Sequence, residues 1–471
     1  MARIQTKEER DELFANAPVP KALATLAIPT IVSQLINLIY SMADTFFIGQ
    51  TGNPYMIAAI SLSFTLFMFN IPMSGLFGIG GGSYIARLIG LKKYERVKHS
   101  SAFCFYGALA LVLVYSVSIA SFMQPLLRLL GASKDTITFA TQYVWIVVVI
   151  GNIPTVLSAT LAHLLRNVGY SKQASFGLSG GGILNIFLDP LFMFVILPDG
   201  YQVVGAALAT TLSNTAAMIY FIVIFEKTKH ETGLSVKLSD VRIDREDAAQ
   251  IFKVGLPSAL TTLLMDFANM FLNSSMARHG DLQLAALGID LKIERLSNAI
   301  CLGIAQGMLP LVAFNYSRKN YHRMREIQRD ARIAGIAVAI ISITLYELLA
   351  GTFVHLFISA KGDPVSVATT IGFGILFLRI RCLAAPFTML NFVSSNGFQA
   401  TGDGRMSLIQ VFFRQVVLYF PLLYGLNALF GPVGLVAAYP VAEVFSSIIS
   451  TILLERKMKR VKAEFEREMV H

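Results

Sequence analysis

Two acidic residues stand inside apolar stretches of this chain that are long enough to cross a membrane. Asp44 is the only charged residue between positions 29 and 49. Asp189 lies in the run GGGILNIFLDPLFMF, four residues after Asn185 and directly before Pro190. A charge in such a stretch costs about 2.5–3.5 kcal/mol on insertion scales, so each acid is a candidate functional residue.

The chemistry that these residues suggest is the binding of a cation or a proton. Asn185 and Asp189 share one helical face. At 1.5 Å per residue, Asp44 lies ~30 Å and Asp189 ~24 Å into its span, and a threonine of the sixth span, Thr210 or Thr211, lies at a similar level. Two close carboxylates in a low dielectric cannot both stay ionised and unpaired, so one takes a proton or a cation lies between them. Carboxylate, amide and hydroxyl oxygens suit Na⁺ by the same logic as Ca²⁺ and Mg²⁺.

Each acid also has a purely structural interpretation. Asp44 is a good helix N-cap, and turn residues such as Gly49 and Gly52 follow it. Asp189 can cap the break that Pro190 makes in its helix. The residue types do not choose between Na⁺ and H⁺, because the same oxygen atoms hold either.

The chain around these acids has the composition of a membrane protein. Of its 471 residues, 55% are hydrophobic and only 14% are charged, whereas soluble chains carry about 25% charged residues. A span needs about 20 mostly apolar residues. This window predicts twelve transmembrane helices, at 24–50, 55–80, 100–123, 137–163, 173–197, 203–226, 250–276, 283–312, 333–358, 367–397, 407–429 and 432–455.

Several classes of function are excluded by the same composition. The net charge of +10 does not indicate a nucleic-acid partner, because the basic residues lie in short loops between apolar spans. There is no P-loop motif, no GxGxxG and no pair of histidines at metal-ligand spacing, so no enzyme signature remains. The three cysteines lie in apolar segments and form no disulfide or metal pattern. We expect no cofactor.

The basic residues predict the topology. They concentrate in alternate loops and in both tails, which places both termini in the cytoplasm by the positive-inside rule. The polar N-terminus shows no signal-peptide pattern and is interpreted as a cytoplasmic leader. We therefore predict a multi-pass protein of the plasma (inner) membrane.

The chain repeats itself after its longest polar connection. Leu256-Pro257 matches Ile28-Pro29, and a further seven matches follow in order at offsets between 227 and 233 residues. Two parallel six-span repeats around a central cavity are a transporter architecture. We predict a leader at 1–23, an N-terminal six-helix lobe at 24–226, a cytoplasmic loop at 227–249, a C-terminal six-helix lobe at 250–455 and a basic cytoplasmic tail at 456–471.

Several of these stretches resemble one transporter family. They are Pro29 with Gln34 and Asn37 running into AD at 43–44, the GGGS at 80–83, NIFLDP at 185–190 and GFQATGDGR at 397–405. Together and in order, over about residues 20 to 455, they resemble the multidrug and toxic compound extrusion (MATE) family. The resemblance implies two pseudo-symmetric lobes, alternating access, and export of amphipathic or cationic small molecules in exchange for Na⁺ or H⁺.

The resemblance also assigns site residues. It places the coupling-cation site on Asp44, Asn185, Asp189 and Thr210. The first three are candidate ligands of Na⁺. Residues that would line the substrate cavity are Gln34, Asn37, Met42, Phe46, Met68, Met73, Met193 and Met265. Methionine and aromatic surfaces suit bulky and varied ligands, although packing is the commoner role of any one of them. We expect a monomer in the lipid bilayer.

The C-terminal half has a second polar set, with Asp266, Arg379, Arg381 and Glu443. Such residues usually pair across helices, and the alternative is a proton relay or a substrate contact. The tenth span has no acid where some branches of the family carry one, which favours a cation site in the N-terminal lobe. The arginines keep open a second hypothesis, a lipid-linked oligosaccharide flippase with a related two-lobed fold.

Overall fold

The computed structural model describes residues 6–357 and 364–470, and within these ranges the chain is helical without strands. Residue 358 of the ninth predicted span, the first five residues of the leader and the last residue of the tail lie outside them. The helices of the first half are α1 (Lys7–Ala15), α2 (Val19–Gln50), α3 (Pro54–Phe67), α4 (Asn70–Gly90), α5 (Tyr94–Leu129), α6 (Ile137–Tyr143), α7 (Asn152–Asn167), α8 (Ser171–Pro190) and α9 (Gln202–Thr232).

The second half repeats this pattern. Its helices are α10 (Arg245–Ala277), α11 (Asp281–Ser317), α12 (Tyr321–His355), α13 (Pro364–Cys382), α14 (Ala385–Ala400), α15 (Gly404–Phe412) and α16 (Phe420–Val470). Three π-helical segments lie inside spans, at Val144–Ile150, Leu191–Ile196 and Phe413–Tyr419. A short 3₁₀ turn, Leu238–Asp240, lies between the halves.

Eleven helical segments of the described chain are long and apolar enough to cross a membrane. The last of them, Gly404–Glu468, has 65 residues, about three times the number that one crossing needs. It is broken at Gly431, whose φ of 57° and ψ of −137° are not helical and suit glycine alone. The break divides the segment into two spans. The predicted all-α, polytopic fold with two repeated six-helix halves is thereby confirmed.

The chain folds into two compact units. Unit 1 consists of the described residues up to Asn16 and of Val32–Ala259, and unit 2 consists of Ala17–Ile31 and the chain from Leu260 onward. The first part of α2 therefore belongs to unit 2 and the first part of α10 to unit 1. In each of these helices the change follows shortly after a proline, Pro29 or Pro257. The predicted boundaries of leader, lobes, loop and tail stay predictions.

A pair of repeat-related glycines explains how those first parts pack. A Cβ on Gly80 would lie 2.5 Å from the Ile251 carbonyl oxygen, inside unit 1. A Cβ on Gly307 would lie 2.8 Å from the Ala27 Cα, inside unit 2. Small residues let transmembrane helices approach closely. The same contact thus occurs once in each unit.

Candidate functional site

The first candidate site lies where α2 packs against α8 in unit 1. A Cβ on Gly182 would lie 3.5 Å from Tyr40 Cβ and 3.6 Å from Ile36 Cγ2, so the glycine allows the two helices to lie side by side. Both helices run in the same direction through the predicted membrane. Gly182 therefore lies at a level between Ile36 and Tyr40. Asp44 is about six residues beyond this level on α2 and Asp189 is seven residues beyond Gly182 on α8, so the two acids lie at nearly one level.

Asn185 joins Asp189 to the sixth span. Its amide can be oriented in two ways, and one orientation gives contacts of 3.3 Å to Asp189 Oδ1 and 3.5 Å to Thr210 Oγ1. In the other, the amide donates to Asp189 Oδ2 at 3.0 Å and accepts from the Thr210 backbone N–H at 3.1 Å. The second orientation satisfies both amide atoms and is favoured for that reason. All three residues are buried.

Asp44 completes the cluster without a partner of its own. Its Oδ1 is buried and accepts no hydrogen bond from any residue that the structure describes. The carboxylate lies near enough to Asp189 for the two charges to repel each other. A buried acceptor without a donor costs free energy. Its oxygen is therefore available to a proton or a metal cation.

Two tyrosines complete the surroundings of the acids, and sequence reasoning missed both. Tyr40 and Tyr143 each lie within electrostatic reach of Asp44 and Asp189. The spacing of Tyr40, one turn before Asp44, was a usable signal. The sequence around Tyr143 gave no such signal, because a tyrosine in an apolar run more often packs in the core than binds a ligand. It is buried here together with Met193 and Val203.

Irregular backbone accompanies these residues. One π-helical segment, Val144–Ile150, begins directly after Tyr143, and another, Leu191–Ile196, directly after Pro190. Such segments are frequent at functional sites, and proline removes a backbone hydrogen bond at the second one. The Thr211 hydroxyl donates to the Ile146 carbonyl oxygen at 3.1 Å. Thr211 thus serves the π-helical backbone, whereas its neighbour Thr210 contacts Asn185.

The predicted substrate residues are more scattered. Met42 and Phe46 are exposed, at 37% and 60%, and Met73 and Met193 are buried in packing. The half-buried ones are Gln34, Asn37, Met68 and Met265. Their contact with substrate stays a prediction.

The C-terminal polar set forms ion pairs inside unit 2. Arg381 is buried and donates from Nε and Nη2 to Glu294 Oε2, at 2.9 and 2.6 Å. The same guanidinium lies 3.1 Å from Asp290 Oδ2 and 4.3 Å from the centre of the Tyr439 ring. Asp290 belongs to this cluster although the sequence gave no reason to select it.

A second buried pair joins Arg414, in the π-helical segment Phe413–Tyr419, to Glu443. Asn391 donates to Glu443 Oε2 at 2.7 Å, and its own Oδ1 accepts from Ser446 and Ser450. Every charge of this pair is matched.

The two other predicted members of the set lie at more open positions. Arg379 is half exposed and pairs with Glu347 at 3.3 Å. Asp266 is partly buried and lies within electrostatic reach of Arg295.

Among the described residues there is no group of three or more His, Cys, Asp and Glu side chains that could hold a metal ion.

A polytopic helical protein with a repeated six-span half and buried oxygen ligands has the features of a membrane transporter. The family model described as MatE matches the chain twice, at residues 29–191 and 257–424. The two matches begin at Pro29 and Pro257, the prolines that open the sequence repeat. The chain belongs to the MATE family.

Curated relatives match almost the whole chain. The multidrug export protein MepA of Staphylococcus aureus (strain MSSA476) is 30% identical over 448 residues, which cover 95% of this chain and 96% of the relative. The corresponding protein of Staphylococcus saprophyticus is 29% identical over 451 residues, with the same coverage.

Solved structures agree with this membership. A structure described as MATE in the straight conformation superposes with a TM-score of 0.89 at 25% identity, and covers 98% of this chain and 100% of its own. A multidrug resistance MATE transporter in an outward-facing conformation gives a TM-score of 0.87 at 26% identity, with 97% and 99% coverage. The chain is therefore a multidrug exporter of this family.

Proposed function

We propose that the protein is a secondary active antiporter that exports amphipathic or cationic small molecules in exchange for Na⁺ or H⁺. The observation that carries the proposal is the Asp44 carboxylate, whose buried oxygen has no hydrogen-bond donor and which lies beside Asp189. A cation bound there removes the repulsion between the two carboxylates and supplies the partner that the Asp44 oxygen lacks. The substrate class follows from relatives that are named multidrug export proteins.

The ligand set fits a small cation. Asp44 and Asp189 supply carboxylate oxygens, and Asn185 supplies an amide next to Thr210. Hard cations prefer such oxygen ligands. A proton bound by either carboxylate neutralises the same pair, so the coupling ion is Na⁺ or H⁺.

Alternating access supplies the coupling. Pro29 inside α2 and Pro190, after which a π-helical segment begins, are places where a helix can bend. We propose that cation binding and substrate binding favour different arrangements of α2, so that each is released when the other binds. The two lobes then move as the halves of the transporter, in the plasma membrane, with both termini cytoplasmic and with a monomer as the working unit.

The contacts of the two arginines do not support the flippase hypothesis. It required a basic cavity for a large anionic substrate, with Arg379 and Arg381 as its ligands. Arg381 is buried against Glu294 and Asp290, and Arg379 pairs with Glu347. Their charges are already neutralised within unit 2, which supports the exporter instead.

Efflux of a fluorescent cationic dye from proteoliposomes tests the proposal, with a Na⁺ gradient and a pH gradient imposed separately. We expect one of the two gradients to drive efflux, and Asp44→Asn to abolish it while the protein still folds and inserts. Asp266→Asn, an acid of the repeat-related span, is the matched control and should retain efflux. Unchanged gradient-driven efflux in Asp44→Asn would contradict the proposal.

A further inference from the structure

A basic pocket lies on unit 2 at the beginning of α12. It has a volume of about 440 Å³. Its lining residues are His322, Arg325, Glu326, Gln328, Arg329 and Arg332. The pocket lies at the end of the ninth span that the positive-inside rule places in the cytoplasm. None of these residues belongs to the candidate cation site or to the predicted substrate residues.

The sequence repeat shows what occupies the equivalent place in unit 1. The basic loops KKYERV from Lys92 and KNYHRM from Lys319 match, and Lys92 and Lys319 share the same left-handed φ of 58°. On this register Lys98, His99 and Ser101 of α5 correspond to Arg325, Glu326 and Gln328 of α12. The helix faces compared are therefore equivalent.

In unit 1 this face is covered by the chain itself. After α9, the segment 233–240 turns back over α5. Ser101 Oγ donates to the Ser235 carbonyl oxygen at 3.2 Å, Tyr106 donates to that of Val236 at 3.1 Å, and Lys98 pairs with the Asp240 carboxylate at 3.1 Å. The covering segment thus supplies hydrogen-bond acceptors and one negative charge.

In unit 2 the described chain takes a different course. After the twelfth span it continues as α16 to Val470, and Gln328 Nε2 of α12 contacts Met458 Sδ of this helix at 3.7 Å. Glu455 of α16 accepts from Arg325 and, at 3.2 Å, from Arg332 Nη1. Arg329 pairs with its neighbour Asp330. The end of α16 thus covers one side of α12, and the pocket lies beside it, with Glu455 close to its arginines.

One arginine of the pocket lacks acceptors. Arg332 Nε and Nη2 are buried and donate to no described residue. These two N–H groups form one edge of the guanidinium, the edge that Arg381 uses to hold Glu294 in the same unit. An oxyanion such as a phosphate fits it with two parallel hydrogen bonds. Buried donors of this kind call for a partner.

The surface beyond the pocket is apolar. Ile333 and Ile340 are exposed at 60% and 55%, and they lie two turns apart on the face of α12 that carries Arg329. In a bilayer such side chains contact acyl chains. A ligand with a phosphate at one end and acyl chains at the other matches both the pocket and this surface.

We propose that the pocket binds the phosphate of an anionic phospholipid of the cytoplasmic leaflet. The phosphate accepts hydrogen bonds from Nε and Nη2 of Arg332 and is attracted by the charge of Arg329. It competes there with the Glu455 carboxylate. The acyl chains lie along Ile333 and Ile340.

Native mass spectrometry of the delipidated, full-length protein tests this with phosphatidylglycerol and with phosphatidylcholine of the same acyl chains. We expect tighter binding of phosphatidylglycerol, and a loss of at least about fivefold in Arg329→Gln/Arg332→Gln, since one basic residue contributes about that factor. Arg242→Gln/Arg245→Gln removes the same charge from exposed positions and should leave binding unchanged.

Glu455→Gln separates lipid binding from general damage, because loss of the competing carboxylate should tighten phosphatidylglycerol binding. Equal binding of the two lipids, or equal weakening in both double variants, would overturn the proposal. A thermal shift with inorganic phosphate is the third arm. Stabilisation by phosphate as large as that by phosphatidylglycerol would overturn the assignment to a lipid.

Discussion

The two halves of the molecule carry their buried charges in opposite ways. In the first half, Asp44 and Asp189 lie near each other, and neither forms an ion pair with a described residue. In the second half, Arg381 and Arg414 each hold a buried carboxylate. One fold, repeated, thus contains an uncompensated pair of acids in one copy and matched pairs in the other.

The difference separates what the fold requires from what is added to it. The position that matches Asp44 in the repeat is Leu272 or Asn273, neither of which is an acid, and Leu272 is fully buried in a hydrophobic cluster. The architecture therefore does not need an acid at this place. Buried matched pairs need no ligand, whereas two buried acids without a base do. The comparison assigns ion binding to the first half and structural pairing to the second.

The largest expected effect comes from breaking a matched pair. Arg414→Met leaves Glu443 buried and unpaired, which costs about 3–5 kcal/mol in comparable cases. We expect a clearly lower Tm in detergent. Arg414→Met/Glu443→Gln removes both charges and should recover most of the loss. If the double variant is as unstable as the single one, the loss does not come from the unpaired charge of Glu443.

The next effect concerns the approach of α2 to α8. Gly182→Leu places a branched side chain against Tyr40 and Ile36, which overpacks the contact by about 1–3 kcal/mol and moves Asp44 away from Asp189. We expect loss of gradient-driven dye efflux. Gly182→Ala adds only a Cβ at ordinary contact distance and should transport normally. Normal efflux in Gly182→Leu would show that the two acids do not act together.

A smaller effect of opposite sign is expected when an acid of the unmatched pair is removed. Asp189→Asn abolishes the repulsion by Asp44. No arginine or lysine loses an ion-pair partner, because Asp189 pairs with none among the described residues. In the absence of the coupling ion, its Tm should equal or exceed that of the wild type, in contrast to Arg414→Met. A drop comparable to that of Arg414→Met would place Asp189 among the structural charges.

The smallest effect concerns the segment 233–240 of unit 1. The Ser235 hydroxyl, together with Lys98, lowers the pKa of Asp240 below its usual range. Because the pKa is lower in the folded protein, the ion pair stabilises the segment above about pH 4 and the stabilisation is lost as the pH falls through the folded pKa. The lysine of this pair is open to solvent, and such a pair contributes at most about 1 kcal/mol.

Hydrogen exchange of residues 233–240 measures this. Asp240→Asn should exchange faster than the wild type at pH 7, and the two should converge at low pH after correction for intrinsic rates. The tail residues Lys462 and Glu466, an exposed pair of α16, offer a control in Glu466→Gln. Equal exchange in the wild type and Asp240→Asn at pH 7 would mean that the ion pair does not hold the segment.

Much of this architecture was predictable from the sequence, because apolar length and basic loops are one-dimensional signals. The spans and the repeat follow from them, and so does the selection of Asp44 and Asp189 as unusual charges. The sequence did not show which residues of neighbouring helices lie at the same level and face each other. Tyr143 and Asp290 join their clusters only through packing. The placement of the first parts of α2 and α10 in opposite units also depends on contacts between distant residues.

The most direct test of the central claim uses the single tryptophan of the chain. Trp145 lies two residues after Tyr143, in the π-helical segment Val144–Ile150. Its fluorescence in the purified protein can be titrated with NaCl against choline chloride at constant ionic strength, and separately with pH. We predict a saturable change with Na⁺ or with protons in the wild type and in Asp266→Asn, and none in Asp44→Asn. The same titration curve in Asp44→Asn as in the wild type would contradict the assignment of ion binding to the first half.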